Sequence, residues 1–154
     1  ILNYLADTFP ESKLGGDGSP KGRAEVNRWL SFFNADVHPT FHPLFGSTGY
    51  LGDDKAAIEK TKDAAREKLR GSFERANQPL DGRDWLTGSR SIADPYLYVV
   101  LRWAKALKVD LSGLDTGPQV VSYIVGALFA GPAPAQLPAN GQPATAQPAV
   151  TPKP

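Results

Sequence analysis

Residues 89–104 read SRSIADPYLYVVLRWA. From Ile92 to Ala104 nearly every side chain is apolar or aromatic, with Asp94 near the start and Arg102 near the end. A carboxylate taken into a packed interior is costly unless hydrogen bonds satisfy it. Ser91-Ile92-Ala93-Asp94 offers that satisfaction, because it fits the Ser-x-x-acid pattern of a capping box. The Ser91 hydroxyl is expected to accept from the backbone N–H near Asp94. The Asp94 carboxylate is expected to reach back to the N–H of Ser91, which sets its charge at the positive end of the helix. The helix it opens is apolar almost all round (Tyr96, Leu97, Val99, Val100, Leu101, Trp103, Ala104, Leu107). Such a helix belongs in the middle of a bundle. Ser91 and Asp94 therefore read as architecture and not as catalysts.

The flanking text supports an all-α chain. Ile1 to Ala6 continues an amphipathic pattern with no capping residue before Ile1, and the chain contains no Met, so it reads as beginning inside a helix. Pro10 ends that helix and a Gly-rich linker follows. Ser19-Pro20 then offers a cap and a first-turn proline. Val26, Trp29, Leu30, Phe33 and Val37 recur at three and four, a single apolar stripe. Pro39 is expected to kink or break this helix near His38. A second long helix is expected from about Asp54 to Ala76, with Ile58, Ala65, Leu69, Phe73 and Ala76 facing inward. No stretch keeps a period-two pattern long enough for a strand. Residues 118–130 read as one more helix. Residues 131–154 hold seven of the fourteen prolines, a composition that cannot offset its ordering entropy, and are expected to be a disordered tail. Their abrupt run of Ala, Gly and Pro is also what out-of-frame reading of a GC-rich gene produces.

Composition narrows the function. Seventeen basic and sixteen acidic residues leave a net charge of +1, so no strong field draws in nucleic acid or an anionic membrane. The absence of Cys removes disulfides, thiolate metal sites and a cysteine nucleophile from these residues. No signal peptide or span of about 20 apolar residues is visible, so the expected setting is cytoplasmic. No metal site is expected.

The box within LTGSRSIADPYLYVVLRWA resembles the one that opens the buried central helix in the C-terminal domain of cytosolic glutathione S-transferases, the bacterial beta class above all. WLSFFNADVHPTFHPLF (29–45) is similar to the first long helix of that domain. ILNYLAD (1–7) resembles the last helix of the family's N-terminal thioredoxin-like domain. The three matches fall in family order and cover about residues 1 to 124. The resemblance implies a helical bundle around a buried central helix. It divides the chain into a remnant of the thioredoxin-like domain at 1–9, a linker at 10–20, the helical domain at 21–130 and the tail at 131–154.

The same resemblance implies a fragment that supplies the electrophile-binding domain for conjugating glutathione to hydrophobic electrophiles, with little activity alone. Glutathione is then a co-substrate and not a cofactor. The beta-class cysteine and the acidic-serine pair that hold glutathione would belong to a missing thioredoxin-like domain. His38 falls where beta-class enzymes place a histidine near glutathione; the alternative is a histidine that caps a helix broken by Pro39. Ser31 falls where several members carry an asparagine that contacts glutathione, and the change weakens that contact. Phe41, Phe45, Trp29 and Trp103 match aromatic positions bordering the substrate pocket, with Trp103 and Phe41 expected to be exposed to it more than the other two. By themselves, aromatics at helical spacing read as core. His42 reads as a solvated or pocket-rim residue. Arg90 and Pro95 stand where the family often places an apolar staple, which is therefore weak or absent here. A homodimer is the family's usual assembly. Two other readings stay open: a glutathione-dependent isomerase or dehalogenase, and a non-catalytic helical interaction module.

Overall fold

The computed structural model describes residues 1–114 of the 154. The expectations for 118–130 and for the tail at 131–154 lie outside the described residues. Among the described residues five α-helices follow in chain order: α1 (Leu2–Thr8), α2 (Pro20–Phe32), α3 (His38–Thr40), α4 (Lys55–Asn77) and α5 (Ala93–Ala106). Among the described residues the only β pairing is an isolated antiparallel bridge between Gly15 and Ser91, so the all-α expectation holds.

The start of α2 is the one its sequence dictates. The Ser19 hydroxyl accepts from the Gly22 N–H at 2.9 Å, and Pro20 occupies the first turn, where a missing N–H is harmless. Of the kink or break expected at Pro39, the break does not occur. The backbone widens into a π turn over Phe33–Val37, in which the His38 N–H donates to the Phe33 carbonyl, and helix resumes as α3. The Thr40 hydroxyl donates to the Asp36 carbonyl at 2.7 Å, satisfying an oxygen of the widened turn. Widening suits the sequence, because Phe33, Val37 and Phe41 recur every four residues. All three stay on the inner face with no exposed surface.

Asp54 caps α4 by accepting from the Ala57 N–H at 3.0 Å. Ala65, Leu69, Phe73 and Ala76 are buried along its inner face, while Ile58 is only half-buried. The outer face carries the pairs Lys62–Glu59, Arg66–Asp63 and Arg70–Glu74. Such exposed pairs contribute little each, about 0.3–0.5 kcal/mol. Arg70 does more, because its two terminal nitrogens also donate to the carbonyls of Asp110 and Ser112 and hold down the chain after α5.

Helix α5 packs against α2, α4 and the π turn. Leu97, Val100 and Ala104 are fully or almost fully buried, each of the larger two stabilising the fold by about 2 kcal/mol. Its burial is less complete than its composition predicts, since Val99 is 38% exposed and Arg102 and Lys105 face solvent. Arg102 lies over the Tyr98 ring at 5.8 Å. The linker is tied to the head of this helix. The Ile92 N–H donates to the Leu14 carbonyl at 2.9 Å, and Ile92 packs in a small cluster with Ala6 and Val26. Gly16 is buried here with φ +105°, and a Cβ on it would stand 3.1 Å from the Gly22 carbonyl carbon. Only glycine permits that turn without strain.

Candidate functional site

Two polar constellations lie at opposite extremes of satisfaction. In the first, Asp94 is 1% exposed and Ser91 is fully buried. One Asp94 carboxylate oxygen accepts from the Leu86 N–H at 3.0 Å. The other accepts from the Ser91 N–H at 2.8 Å and from the Ser91 hydroxyl at 3.1 Å. The reach back to Ser91 is as expected. The serine half differs: its hydroxyl takes the Ala93 N–H at 3.3 Å, and the Asp94 N–H turns to the Ser91 carbonyl instead. Burial pushes the Asp94 carboxyl above the ordinary carboxylate range, opposed by the hydrogen bonds from Leu86 and Ser91. Beside it Arg90 is exposed and donates to the Ser12 carbonyl at 3.3 Å, so no apolar staple forms there.

The second constellation joins α3 to α5. His38 is half-buried, and its Nδ1 stands 3.3 Å from the Tyr96 hydroxyl. Its ring meets Trp103 edge to face at 5.0 Å between centroids. Trp103 in turn packs against Phe41 at 5.6 Å and Phe45 at 5.3 Å. His42, one turn beyond His38, is exposed with its ring 6.0 Å away. On the other side Tyr96 packs on Phe33 at 5.5 Å, and Phe33 on Trp29 at 5.8 Å. The rings thus form one continuous run from Trp29 to Phe45. Burial pushes the Tyr96 phenol above its ordinary value.

The expected ranking of pocket aromatics changes on inspection. Phe41 has no exposed surface, whereas Phe45 is 48% exposed. Phe41 belongs to the every-fourth-residue inner row of the π turn, and Phe45 stands outside it. Trp29 is also core, at 2% exposure, and Trp103 is half-buried. Ser31 lies exposed on α2. The structure therefore brings His38, Phe41, Phe45 and Trp103 together, with Trp29 at the far end of the run. It adds Tyr96, which sequence reasoning passed over. The signal was present: Tyr96 and Trp103 are seven residues apart, two turns along one helix face. Two open recesses lie away from these rings. One of about 340 Å³ includes Asp36, Thr40, Thr61 and Lys68; the other, of about 590 Å³, lies beside the linker with Asp7, Asp17 and Arg23. Among the described residues no group of three or more His, Asp or Glu is placed to hold a metal, and no helix is long and apolar enough to cross a membrane.

Residues 29–125, which span the π turn, the aromatic run and the Ser91–Asp94 pair, match the family described as "Glutathione S-transferase, C-terminal domain". The chain belongs to this family. A glutathione S-transferase named GST-4.5, from Xanthomonas campestris, is 56% identical over 116 residues, covering 75% of this chain and 56% of that protein. A solved glutathione S-transferase from Xylella fastidiosa shares 47% identity at a TM-score of 0.76, over 84% of this chain and 66% of its own. A sphingomonad glutathione S-transferase solved with glutathione shares 30% identity at a TM-score of 0.66, over 80% of this chain and 58% of its own. The chain spans about half the length of the curated glutathione S-transferases it matches.

Proposed function

We propose that these residues form the electrophile-binding helical part of a glutathione transferase. The observation that carries the proposal is the His38 ring, held by Tyr96 and Trp103 beside the exposed Phe45. It joins a hydrogen-bonding edge to an apolar surface, which is what orienting a thiolate next to a hydrophobic electrophile requires. In the reaction the glutathione sulfur bonds to the electrophilic carbon as the bond to the leaving group breaks. A chlorinated aromatic ring would release chloride with the bonding pair. Lowering the thiol's pKa raises the thiolate fraction, and His38 serves as a donor to that thiolate or to a glutathione carboxylate. Ser31 is proposed as a weaker polar contact to glutathione. Trp103 and Phe45 offer the substrate surface, and Phe41 and Trp29 support it from beneath.

Glutathione is the co-substrate in this reading, and a thioredoxin-like half holds most of it. Residues 1–9 would be the last helix of that half, 10–20 the linker, 21–130 the helical domain and 131–154 a tail. Support comes from α1 and the residues flanking it, where Ile1, Tyr4, Leu5 and Phe9 leave apolar surface exposed for such a half to cover. The protein would work in the cytoplasm, as a homodimer.

The test is retention on immobilised glutathione, followed by conjugation of a chlorinated aromatic. A protein in which a thioredoxin-like domain precedes Ile1 should show both, and the 154-residue chain alone should turn over little. Neither activity from the two-domain protein would sink the transferase reading. Ready turnover by the chain alone would sink the claim that it is incomplete.

A further inference from the structure

We propose that Tyr96 is a positioning residue that fixes the neutral His38 imidazole with its proton on Nε2. The purpose of this arrangement rests on the reading of His38 as a glutathione contact; its geometry does not. The two residues are 58 positions apart and meet at 3.3 Å between the phenolic oxygen and Nδ1. A bond between a phenol and a neutral imidazole nitrogen can run either way. Were Nδ1 protonated, the phenol would accept, and its own O–H would need a second acceptor. Nδ1 is the acceptor that the described residues place against it. With the O–H donating, one bond satisfies both groups.

The surroundings are compatible with that direction. The Tyr96 phenol carries its proton at neutral pH, and partial burial raises its pKa further. Its ring is fixed against Phe33, and the His38 ring against Trp103, so the bond persists without a ligand. With Nδ1 occupied, the group left to a ligand is the Nε2–H, a donor. His38 then selects an acceptor, thiolate or carboxylate, and rejects an ammonium in the same place. This is how a hydrogen bond at one ring nitrogen sets the role of the other.

The test is nitrogen-detected imidazole NMR on the 154-residue chain without glutathione, at a pH where the rings are neutral. His42→Gln assigns the two histidines. His38 should show a protonated Nε2 and an unprotonated, hydrogen-bonded Nδ1, while exposed His42 shows the average of two exchanging tautomers. A protonated Nδ1 at His38, or the same exchange average as His42, would overturn the proposal. Tyr96→Phe keeps the ring packing and should shift the His38 nitrogens towards the His42 pattern. Unchanged nitrogens in that variant would also overturn it. If Tyr96→Phe does not fold, the wild-type tautomer alone decides. Adding glutathione to a protein in which a thioredoxin-like domain precedes Ile1 separates the two readings. A fixed tautomer with no shift at Nε2 sinks the glutathione contact and keeps this proposal; a glutathione-dependent shift on a tautomer-averaged ring does the reverse.

Discussion

Asp94 and His38 each place a polar side chain beside α5, and they differ in every physical respect that bears on function. Asp94 is sealed, and both its oxygens are occupied by donors from Leu86 and Ser91. His38 is half-open, with one long bond at Nδ1 and aromatic neighbours on its ring. A satisfied buried group has no capacity left for a ligand, and removing it strands its partners. A partly satisfied group at the surface keeps a donor in reserve and contributes little to folding. On that contrast Asp94 reads as architecture, and the chemistry proposed for this chain falls to His38.

The harshest way to break the comparison is Asp94→Ala. It strands the buried N–H groups of Leu86 and Ser91, each worth roughly 1–3 kcal/mol unsatisfied, so unfolding free energy should fall by about 3 kcal/mol. Denaturant titration checks this, and a loss below about 0.5 kcal/mol would show that the box is not structural. The His38 nitrogens of the fraction still folded should be unaltered.

A smaller effect concerns pH. The folded Asp94 carboxyl titrates above its ordinary value of 3.8 because burial disfavours the charged form. Between those two values the folded chain binds more protons than the unfolded one, so stability falls as pH rises. This contribution is fully present below 3.8 and lost through the folded titration. Relative to Asp94→Asn, which cannot titrate, the natural chain should therefore lose stability as pH rises from about 3.8 towards neutrality. A rise over that window would reverse the sign and favour the hydrogen bonds over burial.

The smallest effect on folding is expected at His38. His38→Ala removes one long hydrogen bond and part of an edge-to-face contact, so stability should drop by only about 1 kcal/mol. Retention of the two-domain protein on immobilised glutathione should fall far more. If stability collapsed and retention survived, the two sites would exchange roles.

How much of this was legible before the fold was known follows from the range of each interaction. Ser19 and Ser91-x-x-Asp94 act within three residues of themselves, so the Ser19 cap and the reach of Asp94 back to Ser91 could be read directly, while the Ser91 hydroxyl holds Ala93 and not Asp94. The inner rows of α2 and α4 were likewise visible as periodic spacing. Whether Pro39 would break its helix was not legible, because whether a proline breaks a helix or widens it depends on what gains from continuing it. Here the Phe33, Val37 and Phe41 row gains burial. The exposure of Phe45 and the burial of Phe41 could not be told from two aromatics four residues apart.

The sequence by itself determined about where the long helices begin, which faces are apolar and that Asp94 reaches back to Ser91, since these are short-range matters of hydrogen-bond satisfaction and period. Tertiary structure alone decided that Leu86 donates the third hydrogen bond to Asp94, that Leu14 is tied to Ile92, and that Tyr96 meets His38 across 58 residues. Each of those contacts joins segments whose meeting depends on how whole helices pack, and no local pattern encodes that geometry.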